Sequence, residues 1–567
     1  MKLRYFKNVM PAAAAAFVLA GMNACTKDLD VTPIDPGTEM NVSEPGLYAK
    51  CYANMALAGN TGADGDCDID GLDGGTTGFV RQLWNANELT TDEAICAWGD
   101  PGIDQFNYNT WDASHPMLQG FYYRLYAGIN YCNHYLDVCN GIDATRTAEV
   151  RFLRALYYYH LMDCYGNVPF ATALSAESPQ QIQRADLFKW IESELKEVKG
   201  NMLAPAARTS ASEGYGRADQ DAANLLLARM YLNAEVYTGT ARWEDAKTYA
   251  EAVINGPHKL WTTGTNGWSA YQMLFMGDNG ESGASQEAIL PLLQDGITTT
   301  SYGTTMFLMA STWKSDMDQS LYTVNGTNIW LPTKSYGKDT VSVRGANPGY
   351  GSSEFWAGNR ARSQFIAKFF PNNDAPNANI EETAAAAGDN RALIFGIDRN
   401  LVVEKPTEYT SGFAVGKFRN TYSSGTNPHN GKFVDTDYFL MRSAEAYLIA
   451  AEADARINGG STTTTGTAYI DAIRNRAHAA VITSPHIYSI DQILDERARE
   501  LYHEGFRRTD LIRYGYFGGV NSSKYIWEWK GGAEKGASLP EYRNLFAIPA
   551  EDLNANPNLK GHQNPGY

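Results

Sequence analysis

The sequence feature that most limits the fold of this chain is a series of windows in which apolar residues recur at helical spacing. These windows are Phe121 to Leu136, Val150 to Tyr165, Ala222 to Tyr237, Trp243 to Ile254, Tyr438 to Ile457, Ala468 to Ala477 and Ile493 to Tyr502. They come as adjacent pairs, which predicts helical hairpins. Small residues recur where one pair would cross, with Ala222, Ala223 and Ala228 opposite Ala246, Ala250 and Ala252. This pattern is typical of tetratricopeptide-like hairpins, and an irregular helical bundle is the alternative.

Two long segments, residues 57–107 and 260–431, separate the helical regions and are dense in Gly, Thr, Asn and aromatic residues. Connections of this length are uncommon in compact domains and are usually functional. Rigid elements commonly position such loops for binding. We therefore predict a mostly α fold in which hairpins at about 119–256 and 437–515 form a scaffold and the two loop-rich insertions carry the ligand site.

The N-terminus indicates export. Lys2, Arg4 and Lys7 precede an apolar run from Pro11 to Ala20, which is too short to span a bilayer. The following Gly21-Met22-Asn23-Ala24-Cys25 resembles a bacterial lipobox. We predict a signal peptide over 1–24, a single domain over 25–567 and lipidation at Cys25, with simple secretion as the alternative.

Charge and cysteine spacing exclude other classes of protein. The formal net charge is -17, and no stripe of Lys and Arg offsets it, so a nucleic-acid partner is excluded. Six further cysteines lack paired CxxC spacing, which disfavours zinc: Cys51, Cys67, Cys96, Cys132, Cys139 and Cys164. Export would permit disulfides. We expect most of these thiols to be free and buried.

Motifs distributed along the chain resemble those of the SusD/RagB family. They are Glu149 to Ala155, Tyr165 to Pro169, Gly216 to Ala218, Ala228 to Leu232, Arg442 to Leu448, Ile473 to Ala477, Glu500 to Leu511, Ile548 to Leu553 and Gln563 to Tyr567. The resemblance implies a helical, tetratricopeptide-like fold and a lipid-anchored glycan-binding protein of the outer membrane that faces the cell exterior. It also implies a TonB-dependent transporter as partner, no enzymatic activity and no required cofactor.

Several residues in these motifs invite a catalytic interpretation. Glu504, Arg507, Arg508 and Asp510 form an acid and base cluster, but Arg–carboxylate pairs near a helix end more often lock neighbouring helices. His503-Glu504 does not begin an HExxH zinc motif, because Arg507 stands where the second His would fall. No GxSxG, Walker or Rossmann motif is present. We therefore predict structural roles for this cluster.

Within the family, the chain is especially similar to the starch-utilisation branch. The similarity extends through Asn87-Glu88-Leu89, Tyr231 to Ala234 and Trp529 to Ala533. In that branch an arc of aromatic side chains holds a curved α-1,4-glucan. Carried over residue by residue, the resemblance implies a ligand site made of Arg81, Trp98, Asp100, Tyr302 and Trp356.

One departure from the branch lies in this site. Gly99-Asp100-Pro101 replaces the stretch that holds an Asn, so the amide contact is lost or passes to Asp100, Gln105 or Asn107. For each aromatic residue, the alternative role is packing in the core.

A second group of residues suits a hard cation. Asp278, Glu281 and Gln286 lie in a Gly/Ser-rich stretch, and Asp435 and Asp437 precede a predicted helix. Carboxylate and amide oxygens on loops are typical calcium ligands, although the spacing fits no EF-hand. A structural calcium ion is one interpretation of this group, and a solvated acidic loop is the other.

The leading functional hypothesis is capture of α-1,4-glucan oligosaccharides at the cell surface and delivery to the transporter. The alternatives are a different glycan or an oligopeptide as ligand, or a scaffold that chiefly binds proteins. The sequence leaves the linkage and length of the glycan, its affinity and the transporter's identity open.

Overall fold

The computed structural model of the chain describes residues 43–63, 67–317, 319–324, 327–332, 340–342, 350–426 and 428–567. The predicted signal peptide and the lipidation site at Cys25 lie outside the described residues. The chain divides into residues 1–46 and one compact unit, residues 47–567.

The unit is mostly helical, as predicted. The α-helices, α1 to α19 in chain order, are Glu44–Ala56, Gly74–Thr77, Phe79–Trp84, Ile103–Tyr108, Pro116–Val138, Ala144–Tyr165, Arg184–Val198, Gln220–Leu232, Ala234–Thr238, Trp243–Asn255, Ala270–Met273, Thr305–Ala310, Ser363–Ile366, Ile380–Ala387, Ser443–Ile457, Thr464–Arg476, Ile490–Leu501, Arg507–Arg513 and Ala550–Ala555. A π-helical turn, Asn85–Leu89, follows α3 directly.

Short strands join distant parts of the chain. The strands β1 to β11 are Ala94–Cys96, Val168–Pro169, Gln181–Ile182, Ala288–Leu292, Gln319–Val324, Thr327–Pro332, Thr340–Ser342, Asn359–Ala361, Ile394–Phe395, Ala414–Val415 and Tyr438–Arg442. They form antiparallel pairs β1–β8, β2–β3, β4–β11 and β9–β10, and a three-stranded sheet in the order β6-β5-β7. Two of these pairs, β1–β8 and β4–β11, join segments that are more than a hundred positions apart in the sequence.

The scaffold consists of helices packed side by side: α5 against α6, α6 against α7, and α10 between α8 and α15. Polar side chains cap the helix starts, as where Asp143 accepts hydrogen bonds from the backbone N–H groups of Thr145 and Arg146. Helices α5 and α6 cross closely at Gly128, where an added Cβ would lie 2.4 Å from the Tyr157 ring. Glycine is therefore required at that crossing.

Two details of the predicted helices were wrong. Tyr438–Arg442 is a fully buried strand paired with Ala288–Leu292, and the helix begins only at Ser443. A short apolar run does not distinguish a buried strand from a helix. Ala246 and Ala250 are buried where α8 and α10 meet, whereas Ala252 is exposed on the outer face of α10.

The charged cluster near the C-terminal helices has structural contacts, which supports the predicted interpretation. Arg507 pairs with Asp92 across 2.7 Å, and both side chains are buried. Glu504 accepts from Arg442 at 2.6 Å and from Lys417 at 2.6 Å. Removing one partner of a buried pair leaves an uncompensated charge, so these pairs fix the relative positions of distant segments.

The six cysteines of the described unit are free, and all except Cys67 are buried, as expected. Within the described ranges, no helix combines the length and apolar character needed to cross a bilayer.

Candidate functional site

Both insertions contribute to one open cavity of about 640 Å³. All five residues that the sequence assigned to a ligand site, Arg81, Trp98, Asp100, Tyr302 and Trp356, line it. The other lining residues are Ala58, Gly62, Ala63, Asp73, Gly74, Gly75, Ser301 and Glu354. The fold therefore brings the five predicted side chains together, although Arg81 and Trp356 are 275 positions apart in the sequence.

The pairing of β1 with β8 places the two tryptophans side by side. Ala94 is opposite Ala361 and Cys96 is opposite Asn359, and the ladder continues as Ala97 N–H donates to the Gly358 carbonyl at 2.9 Å. Trp98 packs directly on Gly358, where an added Cβ would lie 2.2 Å from the indole. The strand pairing and this glycine set the position of Trp98 beside the loop that carries Trp356.

A close approach of two glycines joins Arg81 to the segment of Tyr302. An added Cβ on Gly78 would lie 2.7 Å from the Cα of Gly303. Arg81 N–H, in the first turn of α3, donates to the Gly303 carbonyl at 3.0 Å. A side chain at either glycine would push apart the two segments, so the geometry of this wall depends on glycine.

The aromatic rings form a continuous row. The Trp98 and Trp356 rings lie 6.4 Å apart between centroids, and the Trp356 and Tyr302 rings lie 5.8 Å apart. Successive ring planes are inclined by 56° and 58°, so the row is not flat. Trp98 also donates its Nε1–H to the Trp356 carbonyl at 3.1 Å. All three side chains are half-buried, which leaves part of each ring accessible.

Arg81 supplies a cation at one end of the row. Its guanidinium lies 5.8 Å from the Trp98 ring centroid and 5.1 Å from that of the buried Phe307. Burial lowers the pKa of Arg81, and nearby Asp100 and Asp73 oppose that effect, so the group stays charged at neutral pH. The buried Nε–H has no hydrogen-bond partner among the described residues. Because Arg81 as a whole is only half-buried and lines the cavity, its guanidinium can donate to a ligand oxygen.

Three carboxylates surround the same cavity, and the sequence identified only Asp100. Burial would raise the pKa of Asp73, but hydrogen bonds from the Thr76 side chain and backbone lower the pKa overall. Glu354 accepts a hydrogen bond from Trp356 Nε1–H at 3.0 Å and so fixes that indole. No periodic pattern in the sequence distinguishes Glu354. Its position two residues before Trp356 was the one sequence signal that could have indicated a place in the site.

The structure distinguishes the three residues, Asp100, Gln105 and Asn107, that could take over the contact of the missing Asn. Asn107 is buried, accepts from Cys96 N–H at 3.0 Å and donates to the Cys96 carbonyl at 2.9 Å, so its side chain holds β1. Gln105 is exposed and does not line the cavity. Of the three candidates, Asp100 alone lines the cavity.

The residues proposed for calcium lie apart from this cavity, and protein donors contact their carboxylates. Asp278 accepts from Ser423 N–H at 2.9 Å and from its hydroxyl at 2.7 Å. Asp437 accepts from the Tyr215 hydroxyl at 2.7 Å and from Gln294 N–H at 2.8 Å.

Asp435 of the same group accepts from the backbone N–H of His429 at 2.9 Å, and Glu281 is exposed. Gln286 lies half-buried in the turn that precedes β4. In the part of the chain that the structure describes, no cluster of three or more His, Cys, Asp or Glu side chains has the arrangement of a metal site. Calcium at these residues stays a prediction.

Sequence comparisons find similar proteins over the entire length of the chain. A family model described as "SusD family" matches residues 262–567, and a model described as "Starch-binding associating with outer membrane" matches residues 79–232. The starch-binding protein SusD of Bacteroides thetaiotaomicron is 34% identical over 604 residues, which covers 100% of both chains. SusD-like protein P25 of Formosa agariphila is 25% identical over 480 residues, covering 77% of this chain and 76% of that protein.

Solved structures share the fold at low sequence identity. Surface glycan-binding protein A from Bacteroides uniformis superposes with a TM-score of 0.61 at 20% identity, covering 92% of this chain and 98% of that one. A laminarin-binding SusD-like protein superposes with a TM-score of 0.60 at 19% identity, covering 93% and 100% of the two chains.

Proposed function

This chain belongs to the SusD family, whose members bind glycans and associate with the outer membrane, and on that premise we propose that it captures α-1,4-linked glucan oligosaccharides. The observation that carries the proposal is the row of Trp98, Trp356 and Tyr302, with Arg81 at its end. The row lines an open cavity of about 640 Å³, which suits a segment of a polymer.

Aromatic rings and a charged donor suit a neutral sugar chain. The C–H faces of a pyranose pack on indole and phenol rings through dispersion and apolar burial. Hydroxyl oxygens of the sugar accept hydrogen bonds from the Arg81 guanidinium, and the carboxylates of Asp73 and Asp100 accept from hydroxyl groups. The contacts are shallow, so affinity depends on several sugars binding at once.

The tilt between successive rings favours a curved ligand over a flat one. An α-1,4-glucan curves along its length, whereas a β-1,4-glucan is an extended ribbon. Planes inclined by 56° and 58° would meet successive sugars of a curved chain more evenly than those of a ribbon. The starch-binding name of the 34% identical relative supports the same ligand class.

The proposed role is binding without cleavage. A glycosidase needs one carboxylic acid with a raised pKa and a second carboxylate across the scissile bond. Hydrogen bonds lower the pKa of Asp73, which disfavours this side chain as the general acid, and Glu354 accepts a hydrogen bond from the Trp356 indole N–H.

Delivery to a TonB-dependent transporter and lipid anchoring at Cys25 complete the proposal. Several acyl chains on one cysteine would hold the protein on a membrane stably. Mass spectrometry of the N-terminal peptide from membranes tests the anchor, with Cys25→Ala as control. An unmodified Cys25 on a protein found free outside the cell would contradict it.

Isothermal titration calorimetry tests the ligand. We expect binding to maltoheptaose and to cyclic maltooligosaccharides, with weaker or no response to laminarin and β-1,4-glucan oligosaccharides. A tight response to another glycan or a peptide, without any α-glucan binding, would overturn the proposal. Long incubation with maltoheptaose and assay of new reducing ends tests for cleavage, and turnover that survives repurification would contradict the binding-only role.

A further inference from the structure

We infer that the binding surface continues beyond Tyr302 onto Phe433, which supplies a fourth aromatic subsite for longer glycan chains. This inference rests on the proposed function and adds a dependence on chain length. Phe433 lies in the segment that precedes β11 and does not line the cavity described above. It has no part in the predicted site.

The ring of Phe433 continues the row at a slightly shorter spacing. Its centroid lies 5.3 Å from that of Tyr302, and the two planes are inclined by 45°. The preceding steps along the row are 6.4 Å and 5.8 Å. The order of rings is therefore Trp98, Trp356, Tyr302 and Phe433, each in contact range of the next.

Core packing does not account for the position of Phe433. The ring is half-buried, and among the described residues it is not one of those packed against the main hydrophobic core, whereas Tyr302 and Trp356 are. The next residue, Val434, is buried and anchors the segment. The chain therefore buries a valine and leaves an adjacent phenylalanine ring at the surface beside Tyr302, an arrangement that favours a contact role.

Hydrogen bonds hold the segment of Phe433 against the loop of Trp356. Asn430 Oδ1 accepts from the N–H groups of Lys432 at 2.7 Å and of Phe433 at 3.2 Å. The Ser352 hydroxyl donates to the Lys432 carbonyl at 2.6 Å, and Ser353 N–H donates to the Gly431 carbonyl at 2.8 Å. The fourth ring is thus positioned before a ligand arrives, which reduces the entropic cost of binding.

Gly296 ties the same segment to the loop that leads to Tyr302. An added Cβ at Gly296 would lie 3.1 Å from the Phe433 carbonyl oxygen, and this glycine has a φ of 64°. Three loops, which carry Trp356, Tyr302 and Phe433, therefore meet at one edge of the site. Their convergence makes the row one surface.

Lys432 adds polar contacts to this end of the row. Its ammonium lies 5.0 Å from the Tyr302 centroid and 5.2 Å from the Phe433 centroid. Ammonium N–H groups at that position suit sugar hydroxyl oxygens at the edges of the two rings. Aromatic contact with an adjacent hydrogen-bond donor repeats the combination of Trp98 with Arg81 at the other end.

The expected consequence is a selective effect on long chains. Oligosaccharides that cover only the two tryptophans gain nothing from Phe433, whereas chains that extend past Tyr302 gain one ring contact. Loss of such a contact corresponds to a decrease in affinity of about twofold to tenfold.

The test measures Kd for maltotriose through maltoheptaose with wild type, Phe433→Ala and Phe433→Trp. We expect Phe433→Ala to weaken maltoheptaose binding by about twofold to tenfold while maltotriose changes by less than about twofold, and Phe433→Trp to retain the length dependence. Phe170→Ala is the matched control, because Phe170 is also half-buried but packs on Trp190 in the scaffold. We expect it to leave the length dependence unchanged.

Equal weakening at every length, or no weakening at any length, would overturn the fourth subsite. If in that case Trp356→Ala still weakens binding at all lengths, the proposed function stands without it. Absence of wild-type binding to every α-glucan would overturn the proposed function and the inference together.

Discussion

Replacing Trp356 by alanine should remove glucan binding with little loss of stability. The ring contacts Trp98 and Tyr302, the two other members of the original row, and its N–H donates to Glu354 at the rim. The backbone N–H donates to the Ala310 carbonyl at 2.8 Å, and that contact survives the substitution. We expect the change to act mainly on the ligand surface, although part of the half-buried ring also packs against the main core.

The expected magnitudes differ for binding and folding. A central aromatic side chain in a binding site typically contributes about 2 kcal/mol or more, which is about thirtyfold in Kd. Truncating a fully buried Trp costs about 3–5 kcal/mol of stability, and the half-buried Trp356 should cost clearly less. We expect Tm to fall by no more than a few degrees.

Calorimetry with maltoheptaose and thermal unfolding followed by circular dichroism would measure the two effects on the same preparations. Trp313→Ala is the matched control, because Trp313 is fully buried, lies in the same insertion and donates its Nε1–H to the Phe418 carbonyl. We expect it to lower Tm far more than Trp356→Ala does. Trp356→Phe, which keeps a ring but loses the bond to Glu354, should have an intermediate affinity.

The opposite pattern would refute the reasoning. If Trp356→Ala lowers Tm as much as Trp313→Ala and the folded fraction binds maltoheptaose with wild-type affinity, the ring belongs to the core. The row of rings would then not be the ligand surface.

Three further outcomes follow from the structure. Gly78→Ala should weaken glucan binding at least severalfold, because its Cβ would lie 2.7 Å from Gly303 Cα; wild-type affinity in calorimetry would show that the wall adapts. Arg507→Met should destabilise the fold by about 3–5 kcal/mol in urea unfolding, because the buried Asp92 loses its ion-pair partner and keeps, among the described residues, only the hydrogen bond from the Tyr525 hydroxyl, and a change below about 1 kcal/mol would contradict this. Burial raises the pKa of Asp437 to about 7, so the folded state binds more protons than the unfolded state between about pH 4 and 7, and stability contributed by this group falls as pH rises through that window. The free energy of unfolding of Asp437→Asn, measured relative to that of the wild type, should therefore increase from about pH 4 to pH 7. A difference between the two proteins that is independent of pH would contradict the raised pKa.

The sequence was sufficient for the helical scaffold because its signals are local. Apolar spacing predicted Val150 to Tyr165 within the helix Ala144–Tyr165, and Trp243 to Ile254 within the helix Trp243–Asn255. Asp143 caps the first of these helices through bonds to residues two and three positions away. Such information lies within one or two turns of the chain. The same spacing failed at Tyr438–Arg442, where pairing with Ala288–Leu292, and not local preference, makes a strand.

For the ligand site, too, local information in the sequence was sufficient for some features, and contacts between distant segments decided the others. The resemblance of the sequence to a family, together with residue type, identified Arg81, Trp98 and Trp356. Aromatic and charged side chains in loop-rich insertions can be recognised from the sequence alone. Their arrangement depends on the β1–β8 register and on the approach of two glycines, which are contacts between segments more than two hundred positions apart. Phe433 had no distinguishing signal in the sequence, because only tertiary packing, with Val434 turned inward and Tyr302 alongside, decides that its ring joins the surface.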